Sequence, residues 1–253
     1  MRIFIVVSEV TFVKENYNGF LEELFKHYPG IAGLIVLTNN QPILKVKAFG
    51  LMLMGAKRIG MDLMRNTINA AKKDHEKIAK KYNIPTYYFK SANDPAFYNL
   101  VKEKKIDLIV NARTRDIYKN KILKAPKLGC INIHHGILPN YRGTMCDLHA
   151  IFEDRPAGFS VHKMEKKIDD GDIIKVVEVT SKTNDRHLEY LNYPLHIYES
   201  SKCEGKIMAE ILKDIKEHQQ LNFQFKNQSS NVKYTKNPDH QMIKKMLKKG
   251  IIL

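Results

Sequence analysis

Three polar side chains near the middle of the chain have the types and the spacing of an acid–base centre. Asn132 and His134 stand two residues apart in a short run that alternates apolar and polar residues, which is typical of a β-strand. Residues two apart on a strand point to the same face, so an amide donor and a titratable imidazole would lie side by side. Asp169 stands two residues before Gly171, whose turn would aim one preceding side chain inward. Taken singly, each residue is more typical of a turn, a cap or a surface position, so the surrounding pattern decides.

The residues around this trio form an extended motif. The strand is followed by Leu-Pro-x-Tyr-Arg-Gly at residues 138–143, then by His-x-Met at 162–164 and Asp-x-Gly-x-Ile at 169–173. The whole pattern resembles that of the formyltransferase family that uses 10-formyltetrahydrofolate. The resemblance is strong over residues 106–174 and weaker outside them.

This resemblance implies an activity, the transfer of a formyl group to a primary amine through a tetrahedral intermediate whose formyl oxygen becomes negative. A positioned side-chain amide stabilises such an oxygen, a role that falls to Asn132. Taking a proton from the amine and returning one to the folate nitrogen is work for an imidazole and a carboxylate, here His134 and Asp169. The carboxylate is expected to favour the protonated imidazole. Asp170 is expected to be a solvated turn residue.

The resemblance also implies a donor site and an acceptor. The pteridine of 10-formyltetrahydrofolate is expected to lie along the main chain of residues 109–115 and the loop 164–169, with two arginines meeting its glutamate tail. The expected acceptor is an amino sugar on a nucleotide or lipid carrier. The residues concerned are Ile109, Val110, Asn111, Arg113, Arg115, Met164 and Ile168 for the cofactor, and Tyr141, Arg142 and Gly143 for the acceptor.

A sheet must position these residues, and strand and helix patterns alternate along the first half of the chain. Such alternation implies right-handed crossovers and a mostly parallel twisted sheet, whose ligands bind at the carboxyl ends of the strands. The predicted fold class is therefore α/β, and the resemblance implies a Rossmann-like formyltransferase fold with flanking helices and a small C-terminal extension. The predicted strands are 3–7, 31–38, 84–89, 106–112 and 131–134, and the predicted helices are 15–28, 95–104 and 117–123.

Other features argue against several kinds of site. The first βα turn, residues 7–12, contains no glycine, whereas a dinucleotide site needs Gly-x-Gly-x-x-Gly for close approach to a pyrophosphate. NAD or FAD and the phosphorylated acceptor of the purine-pathway formyltransferase are therefore disfavoured. The three cysteines are scattered and suggest no disulfide framework, and the histidines have no metal-ligand spacing, so we expect no metal. A reducing cytosol is the simplest location.

A basic, methionine-rich insertion interrupts the alternation at residues 43–82. Its uncharged run, 48–56, is too short to span a bilayer. It predicts either a helix packed on the sheet with methionines filling the core, or a peripheral helix at 45–65 that covers substrate or lies on a membrane. The net charge of +15 is compatible with solvated lysines or with an anionic partner such as a folate tail, a phosphorylated substrate or lipid, and less so with nucleic acid.

The C-terminal third is less regular. We divide the chain into a catalytic domain, residues 1–200, and a helical, basic extension, residues 201–253. The extension is too short for the tRNA-binding β-domain of methionyl-tRNA formyltransferases, which disfavours a tRNA acceptor. The predicted elements are a strand at 172–179, an amphipathic helix at 202–217, a polar linker at 219–239 and a basic tail at 242–253.

Several residues depart from the family pattern. Gly136, Ile137, Cys146 and His149 stand where the family commonly has other residues, which bears on the acceptor pocket more than on formyl transfer. His162 is expected to be a supporting histidine on its own strand.

Two rival functions share the fold: a hydrolase that releases formate from the same folate, and a non-catalytic basic protein that binds membrane or nucleic acid. The intact trio favours the transferase over a binding protein.

Overall fold

A seven-stranded sheet forms the centre of the protein in the computed structural model, which describes residues 1–70, 73–180, 190–227 and 231–253. The strands are β1 (Ile3–Ser8), β2 (Ile31–Leu37), β3 (Thr86–Phe89), β4 (Leu108–Ala112), β5 (Cys130–His134), β6 (Tyr141–Gly143), β7 (Ala157–Lys163), β8 (Ile173–Thr180) and β9 (Lys233–Thr235). The sheet order is β3-β2-β1-β4-β5-β7-β8, in which the first five strands are parallel and β7 pairs antiparallel with both β5 and β8. A separate parallel ladder joins β6 and β9. The predicted fold class is confirmed.

Helices cover both faces of the sheet. They are a short 3-10 helix (Lys14–Tyr17), α1 (Asn18–His27), α2 (Pro42–Leu53), α3 (Lys57–Asn69), α4 (Asp74–Lys81), α5 (Pro95–Glu103), α6 (Asn120–Leu123), α7 (Cys146–Phe152), α8 (Tyr193–His218) and α9 (His240–Lys248). None of the helices in the described ranges is long and apolar enough to cross a membrane.

Side chains alternate across the central strands, so each strand contributes to two separate cores. Ile3, Ile5 and Val7 of β1 belong to the core under α1 and α8, whereas Phe4 and Val6 belong to the core under α5 and α6. Burial on both faces is typical of parallel sheets and explains why these strands are continuous apolar runs. β5 lies inside the sheet, so Asn132 and His134 stand on a rigid part of the fold.

The predicted helix at 15–28 begins later than its apolar pattern suggested. Residues 15–17 have positive φ angles of 57°, 52° and 65°, and the regular helix α1 starts only after them. Asn16 fixes this turn, because its side-chain oxygen accepts the Thr11 N–H at 2.7 Å and its nitrogen donates to the Glu9 carbonyl oxygen at 2.6 Å. These hydrogen bonds offer the backbone an alternative to the helix, which periodicity alone could not reveal.

The insertion at 43–82 contains three helices, α2, α3 and α4, rather than one. α3 buries Ile59 and Leu63, whereas α2 buries only Ala48. α2 and α3 pack closely at Gly60, where a Cβ would lie 2.7 Å from the Ala48 carbonyl oxygen. The expectation of one methionine-filled helix on the sheet is therefore wrong for α2, which is peripheral. Four large apolar side chains of α2 are exposed: Ile43, Val46, Phe49 and Leu53.

The C-terminal residues are more regular than their composition suggested. α8 begins at Tyr193, well before the predicted residue 202, and it packs against α1, so the predicted division at residue 200 falls inside a helix. The predicted linker at 219–239 contains β9, which pairs with β6 directly after the catalytic strand. This part of the chain therefore takes part in supporting the site.

Candidate active site

Asn132 lies in a row of hydrogen-bonded side chains that crosses three neighbouring strands. Its side-chain oxygen accepts from Asn111 Nδ2 on β4 at 2.8 Å, and its Nδ2 lies 3.2 Å from Nε2 of His162 on β7. The hydroxyls of Thr114 and Tyr118 donate to the Asn111 oxygen, which leaves the Asn111 nitrogen as the donor to Asn132. The half-buried Asn132 amide is thereby oriented, with its second N–H available to a ligand.

His134 is buried at the end of the same strand, with its ring 6.2 Å from that of His162. Its Nε2 lies 2.9 Å from the Tyr141 carbonyl oxygen, which can only accept, so Nε2 carries the proton. Nδ1 is then the nitrogen that gains or loses a proton, and it lies 3.4 Å from Asp169 Oδ2. Burial lowers the pKa of His134 below its usual 6.5, although Asp169 raises it. The carboxylate does favour the protonated imidazole, as expected, but desolvation has the larger effect and the net pKa of His134 is lowered.

Asp169 reaches His134 from a turn in which its own φ is 52°. Its Oδ2 accepts the Gly143 N–H at 3.0 Å, and its Oδ1 lies 3.6 Å from His162 Nε2. Burial raises the pKa of Asp169, but His134, His162 and the Gly143 N–H together lower it to about 2. Asp169 is therefore an anion at neutral pH and can stabilise an imidazolium at His134.

The adjacent carboxylates Asp169 and Asp170 point apart, but Asp170 is not the solvated residue that we expected. It forms an ion pair with Arg142, which is itself buried. Arg142 also donates to the Asn227 carbonyl oxygen at 3.0 Å, and Asn227 Nδ2 donates to the main-chain oxygen of Asp169 at 2.9 Å. Arg142 and Asn227 therefore hold the turn that presents Asp169.

Tyr141 and Gly143, two of the residues expected to contact the acceptor, support the trio through their main chains. The Tyr141 carbonyl fixes the tautomer of His134, and the Gly143 N–H binds Asp169. Gly143 has a φ of 105°, and a Cβ there would lie 2.3 Å from the Thr235 carbonyl oxygen, so only glycine fits. Their contact with an acceptor, like that of Arg142, stays a prediction.

Two of the departures from the family pattern contact each other. A Cβ on Gly136 would lie 2.5 Å from Cβ of Cys146, so the thiol side chain fills the space that a larger residue 136 would need. Cys146 Sγ lies 3.0 Å from the Thr235 hydroxyl, and His149 Nε2 lies 2.9 Å from the Lys236 carbonyl oxygen. These side chains therefore hold the β9 segment against α7, and their effect on an acceptor pocket stays a prediction.

A second set of titratable side chains lies on the opposite face of the end of β5. His135 Nε2 is 3.1 Å from Glu204 Oε1, and its Nδ1 is 2.6 Å from Arg113 Nη2 and 3.5 Å from Asp147 Oδ2. The Tyr17 hydroxyl donates to the other oxygen of Glu204. Burial and the Arg113 guanidinium lower the pKa of His135, but Glu204 and Asp147 outweigh them and raise this pKa above its usual value. We call the following residues the buried cluster: Tyr17, Arg113, His135, Asp147, Tyr193, His196 and Glu204.

Both carboxylates of the buried cluster are ionised. Burial raises the pKa of Asp147 and of Glu204, but the neighbouring groups, His135 first among them, outweigh burial and lower both values. Asp147 also accepts from the Tyr193 hydroxyl at 3.1 Å and lies 3.5 Å from His196 Nε2. Paired in this way, the two charges are tolerated in a part of the fold that excludes water.

Sequence reasoning missed the buried cluster because its members come from the 3-10 helix, the β4–α6 connection, α7 and α8. One signal was present. His196, Ser200 and Glu204 recur at intervals of four, which places polar side chains on one face of a helix, and all three are buried. A polar row on a helix that otherwise packs as core indicates buried partners.

Part of the predicted donor site needs correction. Ile109 and Val110 are fully buried inside β4, and their main-chain groups pair with β1 on one side and β5 on the other. They cannot also pair with the edges of a pteridine. The guanidinium of Arg113 lies over the Tyr17 ring at 5.0 Å and contacts His135, so it belongs to the buried cluster rather than to a folate tail.

The other predicted donor residues lie on the loop 164–169 and around the carboxyl end of β4. The loop 164–169 starts beside β5, where the Met164 N–H donates to the Cys130 carbonyl oxygen at 2.8 Å, and returns to the strand at Asp169. Half-buried Met164 and the 57% exposed Ile168 offer apolar surface. Arg115 is exposed and Asn111 orients Asn132. The contact of these residues with a donor molecule stays a prediction.

The family model described as formyl transferase matches residues 45–201, more than half of the chain. The chain belongs to the formyl transferase family. Members of this family are enzymes that use 10-formyltetrahydrofolate as formyl donor. The trio and the turn that presents Asp169 both lie inside the matched residues.

Relatives of this formyl transferase match over part of their length. A 140-residue stretch is 31% identical to the bifunctional polymyxin resistance protein ArnA of Wigglesworthia glossinidia brevipalpis, covering 55% of this chain and 21% of ArnA. A 102-residue stretch is 39% identical to the methionyl-tRNA formyltransferase of Bacillus cereus strain B4264, covering 40% of this chain and 32% of that enzyme. The matches thus span less than a third of each relative.

Solved structures support the fold over most of the chain. A sugar N-formyltransferase from Shewanella sp. FDAARGOS_354 is 18% identical with a TM-score of 0.55, covering 93% of this chain and 76% of that chain. A phosphoribosylglycinamide formyltransferase from Streptococcus pneumoniae TIGR4 is 16% identical with a TM-score of 0.56, covering 85% and 98%. At such identities the likeness shows the Rossmann-like formyltransferase fold.

Proposed function

We propose that this protein transfers a formyl group from 10-formyltetrahydrofolate to a primary amine. The observation that carries the proposal is the contact of His134 with Asp169, 3.4 Å apart, on the strand that also presents the oriented amide of Asn132. A neutral imidazole, an ionised carboxylate and a fixed N–H donor are what acyl transfer to an amine needs. A protein that only binds a membrane or nucleic acid has no need of them.

The three residues divide the work. The bound donor supplies the formyl carbon. The Asn132 N–H stabilises the negative charge that develops on the formyl oxygen, and loss of such a donor lowers rates by about 10²–10³. His134 takes the amine proton at Nδ1, and Asp169 stabilises the resulting imidazolium. The imidazolium then returns the proton to the departing folate nitrogen.

The acceptor that we propose is an amino sugar on a nucleotide or lipid carrier. The fold likeness to a sugar N-formyltransferase over 93% of this chain supports this choice. Methionyl-tRNA, the acceptor implied by the name of one relative, and water, as in a hydrolase, are the alternatives. A transferase can be distinguished from a hydrolase, because only the transferase needs an amine for the folate to lose its formyl group.

The test is to incubate the protein with 10-formyltetrahydrofolate and a panel of amino-sugar nucleotides, and to follow the loss of the formyl group. We expect loss that depends on one class of amine and that falls about 100-fold in Asn132→Ala. Asn99→Ala, at an exposed position of α5, serves as the matched control and should retain activity. Formyl loss without any amine would establish hydrolysis and overturn the proposal.

A cytoplasmic location with peripheral membrane contact through residues 43–65 is a second proposal. The exposed apolar side chains of α2, with Phe49 at 56% and Leu53 at 73%, support it, and lysines flank them. Sedimentation with anionic vesicles should show binding that weakens with salt, because charge contributes to it. Phe49→Ser should reduce binding, whereas Phe223→Ser, at an exposed phenylalanine outside the insertion, should not. Lack of binding at low salt would refute this proposal.

A further inference from the structure

A pocket lined by three cations lies between the 3-10 helix, α3 and the start of α8. Its volume is about 320 Å³. Lys14, Arg58 and Arg65 line it together with a single carboxylate, Asp62, and with the ring of Tyr198. None of these residues belongs to the trio or to the buried cluster, and formyl transfer as described above uses none of them.

The charges in this pocket do not balance. Asp62 is within ion-pair distance of Arg65, at 3.7 Å, and its side chain is 14% exposed. Burial, and to a smaller extent the charge of Glu15, raise the pKa of Asp62, while the positive charges of Arg65, Lys14 and Arg58 lower it. Two carboxylates cannot neutralise three cations, and the remaining positive charge favours an anionic ligand.

The cations are held on a fixed frame. Asn66 of α3 donates to the carbonyl oxygens of Thr11 and Val13 at 2.9 and 2.7 Å, which ties α3 to the segment that carries Lys14. Lys14 Nζ in turn lies 4.7 Å from the centre of the Tyr198 ring. The main chain that carries the cations is therefore fixed, while the side chains of Lys14, Arg58 and Arg65 are exposed and can turn towards a ligand.

The pocket is connected to the catalytic strand. Lys14 precedes Tyr17 by three residues, and the Tyr17 hydroxyl donates to Glu204, which contacts His135 beside His134. The segment leaves the carboxyl end of β1, and β1 lies two strands from β5, roughly 10 Å across the sheet. A ligand in the pocket therefore lies at the same edge of the sheet as the trio.

We propose that this pocket binds the diphosphate of the acceptor's carrier and thereby directs the amine towards His134. Guanidinium groups bind phosphate oxygens through paired N–H donors, and Arg58 and Arg65 supply two of them. Tyr198 supplies aromatic surface for the group attached to the diphosphate. The inference rests on the proposed function in one respect, namely that the acceptor is a carrier-linked amine.

The first test measures binding without folate and without catalysis. Uridine diphosphate and inorganic pyrophosphate are titrated into the protein by calorimetry. Arg58→Gln and Arg65→Gln should each weaken binding about tenfold, the scale of one charge-assisted hydrogen bond. Arg2→Gln, which removes the same charge at the amino end of β1, should leave the affinity unchanged. Equal affinities in all three variants would overturn the proposal.

A second variant gives an effect of opposite sign, which misfolding cannot imitate. Asp62→Asn removes the one carboxylate of the pocket and should tighten binding of pyrophosphate several-fold, because it removes repulsion. Glu217→Gln makes the same charge change at an exposed position roughly 30 Å further along α8, and should have no effect. Unchanged or weaker binding in Asp62→Asn would contradict the proposal.

Uridine diphosphate and two further ligands identify the source of the anion. Binding of uridine diphosphate supports a nucleotide carrier, binding of a short isoprenyl diphosphate supports a lipid carrier, and either supports the diphosphate site. Binding of tetraglutamate alone, with neither diphosphate, would overturn the diphosphate site.

The proposed function and the proposed diphosphate site can fail separately. A protein that formylates no amine but loses diphosphate affinity in Arg58→Gln would refute the proposed function only, whereas unchanged kcat/KM for a formylated acceptor in Arg58→Gln would refute the pocket only.

Discussion

His134 and His135 are adjacent in sequence, but the end of β5 places them in two different electrostatic environments. His134 contacts one carboxylate, Asp169, next to an amide with a free N–H. His135 contacts two carboxylates, Asp147 and Glu204, which are 1% and 0% exposed beneath α8. The same two chemical groups, imidazole and carboxylate, therefore form a reactive site on one face and an internal support on the other.

The two sites differ in solvent access and in how many hydrogen-bond and ion-pair partners each side chain has. In the trio, the second N–H of the Asn132 amide is available to a ligand. In the buried cluster Asp147 has partners from His135, His196 and Tyr193, and its charge could not be left unpaired without a large penalty. A buried ionic cluster tolerates little change, whereas a catalytic site can lose its function while the protein stays folded.

The largest effect should come from breaking the buried cluster. Asp147→Asn removes a buried charge that His135 and His196 compensate, and it should lower the free energy of unfolding by about 3–5 kcal/mol. Urea denaturation measures this change. Asp214→Asn is the matched control, since Asp214 is 47% exposed and its ion pair with His218 lies at the surface, so this variant should lose no more than about 1 kcal/mol. Equal losses in the two variants would show that the buried cluster does not support the fold.

The same variant has a predictable pH dependence. The pKa of Asp147 is lowered in the folded protein from its ordinary 3.8, so its contribution to stability is complete above that pH and is lost as the pH falls below it. The stability difference between the parent and Asp147→Asn should therefore shrink on acidification below about pH 4. A difference that grows in acid would contradict the assignment.

The next largest effect should be on turnover. His134→Asn and Asp169→Asn should each lower kcat by about 100-fold or more, close to 2.7 kcal/mol, with the fold retained. Asp170→Asn should stay within a few-fold of the parent, because Asp170 faces Arg142 rather than His134. Single-turnover formyl transfer, with circular dichroism to verify folding, measures both. An inactive Asp170→Asn beside an active Asp169→Asn would show that the motif register is wrong by one.

A moderate effect is expected on the protonation of His134. Burial lowers its pKa below 6.5, so the acid limb of kcat/KM should lie below pH 6.5. Asp169 raises this pKa, so Asp169→Asn should lower it further, which imidazole NMR titration can follow in a variant too slow for kinetics. An upward shift in Asp169→Asn would contradict the proposed contact.

The smallest effect should come from His162, which touches both Asn132 and Asp169 without itself taking a proton in the reaction. His162→Gln should lower kcat by roughly three- to tenfold with little change in KM, because a supporting hydrogen bond contributes about 1 kcal/mol. A 100-fold loss would place His162 among the residues that transfer protons.

The sequence alone predicted the sheet that carries this site and the three residues that form it. Apolar strands separated by helices predicted a mostly parallel sheet, because burial on both faces requires continuous apolar runs. Alternation along β5 placed Asn132 and His134 on one face, since the side-chain period of a strand is two. The first two inferences depend on local geometry, which the sequence encodes directly. The resemblance to the family selected Asp169 over Asp170, since the family's catalytic aspartate stands two residues before the glycine, and the two carboxylates do point apart.

Only the tertiary structure decided what surrounds these residues. The role of Arg113 could not be predicted, because its partners Tyr17 and His135 come from other elements. The net pKa shift of His134 depends on burial, which is a property of the packed molecule rather than of the motif. The buried cluster and the cation-lined pocket each combine side chains from three or more segments. Such sites arise from long-range packing, and local periodicity carries no information about which segments will meet.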